Sequence, residues 1–310
     1  MDESLEGQLI SRFWNDIDPR INLKKLPETT YHYTSLEGFI GITDSGQIRM
    51  TNSDFLNDST EINYITEILP ETIDKLERNL ENEYGDGIIE NEYYRVFSNQ
   101  LNTANNMRLK DKKEALEIYV LSMSKSKDSL TLWSNYSNNE GYNIGFDTKY
   151  LIENMKANQE NENYYIVHSD VIYIREDQIT ILADELQDTF KFILELKPEI
   201  IELENHLLAF LKSVLTSYSI FFKNQAFKVE EEYRIAYTTL NKAEVNFRNL
   251  NGIIIPYIST EFNKSAIKSV SVGPKNNSDI AEKGIKFYLE RKKYNVDNID
   301  IMKSKVPLRY

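Results

Sequence analysis

The sequence predicts an α+β fold in a single domain spanning residues 1–310. Two observations carry this. Strand-like runs rich in Thr, Tyr, Val and Ile cluster toward both ends and the middle of the chain. Two long stretches, about residues 60–117 and 176–224, have helical period and interrupt those strands as insertions. Regular strand–helix alternation is absent, which argues against a parallel βαβ sheet. With 310 residues the chain can bury a core without a disulfide or metal staple. No internal repeat or low-complexity linker marks a boundary.

The elements follow in order. SLEGQLISRFWNDIDPRI reads as a short amphipathic helix ended by Pro19. TYHYT is a strand. SLEGFIGITDSG is a helix with Ser35 as N-cap and Gly46 as its C-terminal stop. QIRMTN is a second strand and FLNDSTE the loop after it. The polar helical stretch that follows is broken by EYGDG. IYVLSMS is a strand, SLTLWSNYS a short helix capped by Ser129, and GYNIGFD and YYIVHSDVIYI are strands. The longest helical segment, about 178–223, breaks at Pro198. FKVEEEYRIAYTT, NGIIIPYI and SAIKSVSVGP are strand-like. The helix DIAEKGIKFYLERKK precedes a last strand, NIDIMKS, and the tail VPLRY.

Composition excludes several kinds of function. There is no cysteine, hence no disulfide, no cysteine-ligated zinc and no cysteine nucleophile. Three scattered histidines give no metal set, so no metal is expected. The N-terminus lacks the basic and apolar regions of a secretory signal, and no run is apolar for the roughly 18 residues a membrane span needs. The expectation is a soluble, cytoplasmic protein with no membrane partner. The net charge of −13 argues against stable coating of nucleic acid. A local basic groove from Arg49, Lys223, Lys228 and Arg234 would reverse that.

Four groups of residues could carry chemistry. In TYHYT the strand period puts His32 and Thr34 on one face, two hydrogen-bonding side chains together. An isolated histidine is more often structural, so His32 needs a partner elsewhere. FKVEEEYRIAY supplies one. As a strand it places Glu230, Glu232 and Arg234 on one face, and Val229, Glu231, Tyr233 and Ile235 on the other. Arg234 favours the ionised form of a neighbouring Glu, and such a carboxylate stabilises a developing cation or activates a hydroxyl. The plainer reading is a solvated charged face, and a helix is the alternative, since Glu is a good helix former. Asn57 and Asp58 in FLND are turn and cap residues that would order a loop. Trp133 and Tyr136, three apart on one helix, could stack on a planar ring, although such pairs are more often core.

The stretches YHYTSLEGFIGI, TNSDFLNDSTEINY, LWSNYSNNEGYNIGFD, FKVEEEYRI, IIIPYI, VGP and SKVPLR together resemble a bacterial family catalogued as a domain of unknown function. Its opening strand with histidine and hydroxyl and its late ExE strand resemble the ADP-ribosyltransferase superfamily. That resemblance implies a split, mixed or antiparallel β core with helical insertions, and NAD as substrate. His32, helped by Thr34, would hold a ribose of NAD. Glu232 would bind the nicotinamide ribose and stabilise the oxocarbenium-like state, and Glu230 would orient or deprotonate the acceptor. Tyr136 or Trp133 would pack the nicotinamide, with Tyr142 as a further candidate. The acceptor would be a protein or nucleic acid, and a toxin or phage-defence effector with a neutralising antitoxin would fit. Two other readings stay open: a non-catalytic nucleotide-sensing or interaction module, and a nucleic-acid-processing enzyme that does not use NAD.

Overall fold

The structure is a computed structural model that describes residues 4–21, 25–56, 61–106, 117–157, 164–239, 244–250, 252–276 and 278–307. The chain forms two compact units. One is assembled from Met1–Leu23, Ser53–Ile118 and Val171–Phe227, the other from Lys24–Asn52, Tyr119–Asp170 and Lys228–Tyr310. The two insertions read from helical period, with the first helix, thus make up a unit of their own.

The first unit is helical among its described residues. Its main elements are α1 (Leu5–Ile21), α3 (Glu61–Tyr84), α4 (Glu92–Asn106), α7 (Arg175–Leu196) and α8 (Ile200–Ser219). Leu5, Leu9, Phe13, Ile17 and Ile21 recur every fourth residue of α1 and all are buried, which makes a single apolar stripe. Phe13 meets the rings of Phe210 and Tyr218 edge-on at 6.2 and 6.1 Å. The expected stop at Pro19 is not observed, because α1 continues to Ile21. A proline in a last turn forfeits only one backbone hydrogen bond, so the helix can run through it. The break between α7 and α8 falls at Lys197, in the left-handed region at φ 48°, just before Pro198. Glu185 of α7 is completely buried, yet Arg12, Arg20, Thr189 and Tyr218 all reach its carboxylate. Burial pushes its pKa up, opposed by the charges of Arg12 and Arg20.

The second unit is a ten-stranded, mostly antiparallel sheet with helices. Its strands are β1 (Thr29–Thr34), β2 (Gln47–Asn52), β3 (Glu117–Ser124), β4 (Tyr142–Asp147), β5 (Tyr164–Asp170), β6 (Glu232–Thr239), β7 (Asn246–Leu250), β8 (Ile253–Glu261), β9 (Ile267–Val272) and β10 (Asp300–Lys303). The order is β10-β9-β4-β1-β3-β2-β8-β7, with β6 pairing β3 and β5. Only β9 and β10 are shown pairing in parallel. This agrees with the α+β expectation. The FKVEEEYRIAYTT run splits: Gln225–Glu230 is a 3-10 turn and the strand starts at Glu232. Strand β7, and α6 (Thr148–Ala157), carried no assignment from sequence.

Register decides which side chains share a face. His32 pairs with Ile144 and Thr34 with Tyr142. Ile144 and Tyr142 belong to the main core, with Tyr119, Leu121, Met123, Tyr233 and Ile235. Helix α2 (Leu36–Ser45), α6 and α9 (Ser278–Arg291) supply Phe39, Leu151, Ile152, Met155, Ile285 and Leu289 to the same core. On the opposite face α5 (Leu130–Ser137) sets Leu132 and Trp133 against Tyr33. Ser35 and Gly46 cap α2 as expected, Ser35 Oγ accepting from Gly38 N–H and Gly46 adopting φ 66°. Ser129 stands at the start of α5, but its side chain makes no capping bond.

Strand β3 is shared by three neighbours. Lys125 N–H donates to the Glu231 carbonyl at 2.9 Å, so odd-numbered residues of β3 address β6. Even-numbered ones address the other edge, where Val120 meets Thr51 of β2 and Ser124 meets Tyr31 of β1. Strands β1 and β2 therefore part along β3, with Ser122 in the opening between them.

The α1 stripe generates a stability prediction. Phe13→Ala is expected to cost about 3–5 kcal/mol through lost contacts and the cavity left behind. Urea denaturation followed by circular dichroism measures it, and a change under 1 kcal/mol would mean that the stripe is not packed as described.

Candidate functional site

The carboxylates come first. Glu232 and Arg234 alternate along β6 with Tyr233 and Ile235, which face the main core. They therefore point to the opposite face, the side of Tyr33 and Trp133. The plainer reading, a solvated charged face, does not hold for these two, since Glu232 is only 7 % exposed and Arg234 2 %. Arg234 Nε and Nη2 donate to the two carboxylate oxygens of Glu232, each at 2.9 Å. A desolvated two-point ion pair holds Glu232 as an anion and fixes its plane.

Glu230 does not share that strand. It ends the 3-10 turn, and Glu231 takes a left-handed φ of 44°, which a non-glycine residue rarely adopts. The last residue of β3 and the one after it clamp this turn: Ser124 Oγ donates to the Glu230 carbonyl at 2.7 Å and Lys125 N–H to that of Glu231. The Glu230 side chain is buried, and the Tyr136 hydroxyl donates to its Oε1 at 3.5 Å. Strain of this kind, locked by neighbours, tends to collect at functional positions.

The two aromatic candidates separate. Trp133 is completely buried, edge-on to Tyr33 at 4.9 Å, and its Nε1 donates to Asp128 Oδ1 at 2.7 Å. Asp128 also accepts from Ser304 Oγ and Lys305 N–H, so this group ties down the chain after β10. Trp133 is core and has no ring face to offer a ligand. Tyr136 keeps 39 % of its surface exposed. Tyr142 stacks on Phe39 at 4.9 Å on the main-core side, away from the carboxylates.

His32 departs from expectation in another way. Its strand position belongs to the core face, opposite to Glu232, so strand pleat does not put the two on one face. Its ring instead lies at the opening between β1 and β2, hydrogen-bonded to the backbone of Ser122 and within reach of the Arg248 charge. Burial lowers its pKa to about 4, opposed by the Ser122 bond and aided by Arg248. His32 is therefore neutral at pH 7. Thr34 lies on the core face against α2, where a Cβ on Gly38 would come within 2.0 Å of Thr34 Oγ1. Glycine is what lets the helix approach. Asn57 and Asp58 lie outside the described residues.

Of the four residues that could have formed a basic groove, Arg234 is committed to Glu232, and Lys223 is buried with its Nζ 4.6 Å from the Phe227 ring centre. Arg49 is exposed on β2. Sequence reasoning missed Arg248, whose strand went unassigned. The alternation in VNFRNL was the available signal. Among the described residues no group of three or more His, Asp or Glu side chains could hold a metal ion, and no helix is long and apolar enough to cross a membrane.

Residues 132–235 match the family described as Protein of unknown function (DUF2971). The match runs from α5 to β6, so it contains Trp133, Tyr136, Glu230, Glu232 and Arg234 and leaves out His32 and Thr34. No curated protein and no solved structure matches the chain.

Two predictions follow from these environments. Arg234→Met leaves Glu232 buried without its partner and should cost about 3–5 kcal/mol, while adding Glu232→Leu should recover most of it. Urea denaturation of the single and double variants checks this; equal losses in both would exclude the ion pair as the cause. For His32, the folded state disfavours the proton that the unfolded chain takes up below pH 6.5. Its contribution is therefore present above pH 6.5 and lost as pH falls toward about 4. The His32→Gln variant should lose roughly 3 kcal/mol less stability than wild type across that window. Denaturation midpoints at pH 7.5 and 4.0 measure the difference.

Proposed function

We propose that the chain is an ADP-ribosyltransferase that uses NAD as substrate, with Glu232 as the electrostatic catalyst. One observation carries this reading: two buried carboxylates, Glu230 and Glu232, stand on either side of a strained residue, and Arg234 holds Glu232 in its anionic form. An anion with fixed orientation in a desolvated place is suited to a transition state that gains positive charge.

In the proposed reaction the bond between the ribose C1′ and the nicotinamide nitrogen breaks. Its electron pair goes to the nicotinamide ring, which leaves neutral, and positive charge develops on the ribose. Glu232 stabilises that charge as a fixed anion, its plane set by Arg234. The acceptor then attacks C1′ and gives its proton to Glu230. Tyr136 orients Glu230 by the hydroxyl contact, and its exposed ring can pack the departing nicotinamide. The acceptor is a nucleophile on a protein or nucleic acid.

The full occupation of Glu232 by Arg234 also fits a different role, a structural ion pair in a nucleotide-binding module without turnover. Nicotinamide release from NAD, with and without cell lysate, distinguishes the two. The transferase reading expects release from wild type, loss by at least about 100-fold in Glu232→Gln, and a smaller loss in Tyr136→Phe. Circular dichroism and Glu232→Asp control for misfolding. Equal release by wild type and Glu232→Gln would overturn the assignment of Glu232. Thermal stabilisation by NAD without consumption would support the binding module.

A further inference from the structure

Two arginines in the sheet unit stand together, and among the described residues no carboxylate neutralises them. Arg49 pairs with Ser259, Thr51 with Tyr257 and Arg248 with Ile255, while Tyr257 also faces Asn246. Arg49, Thr51, Tyr257 and Arg248 therefore share one face. This is the face opposite Ile48, Met50 and Ile258 of the main core. The guanidinium carbons of Arg49 and Arg248 lie 4.8 and 5.9 Å from the centre of the Tyr257 ring. Arg248 Nη2 donates to Thr51 Oγ1 at 3.0 Å.

No carboxylate pairs with either guanidinium among the described residues. That is unusual in a chain with 49 acidic and 36 basic residues. Arg12, Arg20, Arg175 and Arg234 each have a carboxylate partner within 3.3 Å. The Nε of Arg248 is buried with no hydrogen-bond acceptor. Burial first, and then the charge of Arg49, lower the pKa of Arg248. Two like charges and a buried, unsatisfied donor cost stability until an anion fills the gap. Guanidinium groups match phosphate oxygens two at a time, and the Tyr257 ring keeps both side chains in place.

We propose that Arg49, Arg248 and Thr51 form a phosphate-binding subsite for a small molecule that carries a diphosphate. Arg248 supplies the buried, oriented donors, and exposed Arg49 closes over the ligand from the solvent side. Thr51 holds the Arg248 fork at the correct angle. The proposal stands on the arginines and does not depend on turnover of NAD.

Inorganic pyrophosphate is the probe, titrated calorimetrically into the whole protein at low ionic strength. The expected result is saturable binding that weakens with salt and falls about tenfold or more in Arg49→Gln and in Arg248→Lys. Both variants keep side-chain bulk, and circular dichroism verifies their folding. No saturable binding, or binding unchanged in both variants, overturns the subsite. Binding of a single-stranded oligonucleotide through these arginines, with none of pyrophosphate, overturns the small-molecule form. Because the readout is binding of an ion that cannot be a substrate for nicotinamide release, failure here and failure of the transferase reading are separate results.

Discussion

Strand β3 hydrogen-bonds to three other strands, and the positions of the candidate groups follow from that sharing. One edge is taken by β6. The other is divided between β1, at Ser124, and β2, at Tyr119 and Val120. Two strands addressed by one edge must diverge, and Ser122 lies where they part. The His32 ring hydrogen-bonds the backbone there. At the C-terminal end of β3, Ser124 and Lys125 hold the strained Glu230–Glu231 turn. One strand thus sets both the histidine and the carboxylates.

The same sheet face treats arginine in two ways. At β6, Arg234 and Glu232 neutralise one another in a dry setting, which stiffens the pair and keeps the carboxylate ionised. At β2 and β7, Arg49 and Arg248 repel one another across a tyrosine. Two strand spacings, about 10 Å, separate β6 from β2. A face with a neutralised ion pair at one place and, among the described residues, two arginines without a carboxylate partner at another carries its positive charge toward one end. An elongated ligand with unlike ends would be oriented by such a field.

Much of the architecture was legible because it rests on periodicity. The amphipathic character of α1, the breaks at EYGDG and Pro198, and the caps at Ser35 and Gly46 are local signals, and the structure uses them, although α1 runs on past Pro19. What escaped depends on longer-range facts. Glu230 looked like a strand residue because alternation alone cannot reveal the left-handed Glu231 that moves it off the strand. Trp133 and Tyr136 were equivalent by helical spacing, yet Asp128 and Tyr33 draw one into the core and leave the other at the surface. Face assignments for His32 and Glu232 could not be compared from sequence, since the comparison passes through β3 and its registers. Arg248 gained meaning only when Tyr257 set it beside Arg49.

The helical unit has its first helix, Leu5–Ile21, far upstream of the surface that helix packs on. The α1 stripe packs on α7 and α8, and α8 ends at Ser219, about 200 residues after Ile21. During synthesis at about 5–20 residues per second, that separation is a delay of roughly 10–40 s. Throughout it Leu5, Leu9, Phe13, Ile17 and Ile21 have emerged from the ribosome with nothing of their own to rest on. Closure of the helical unit therefore waits on the synthesis of α8, and the apolar stripe of α1 has no cover from α7 and α8 until then.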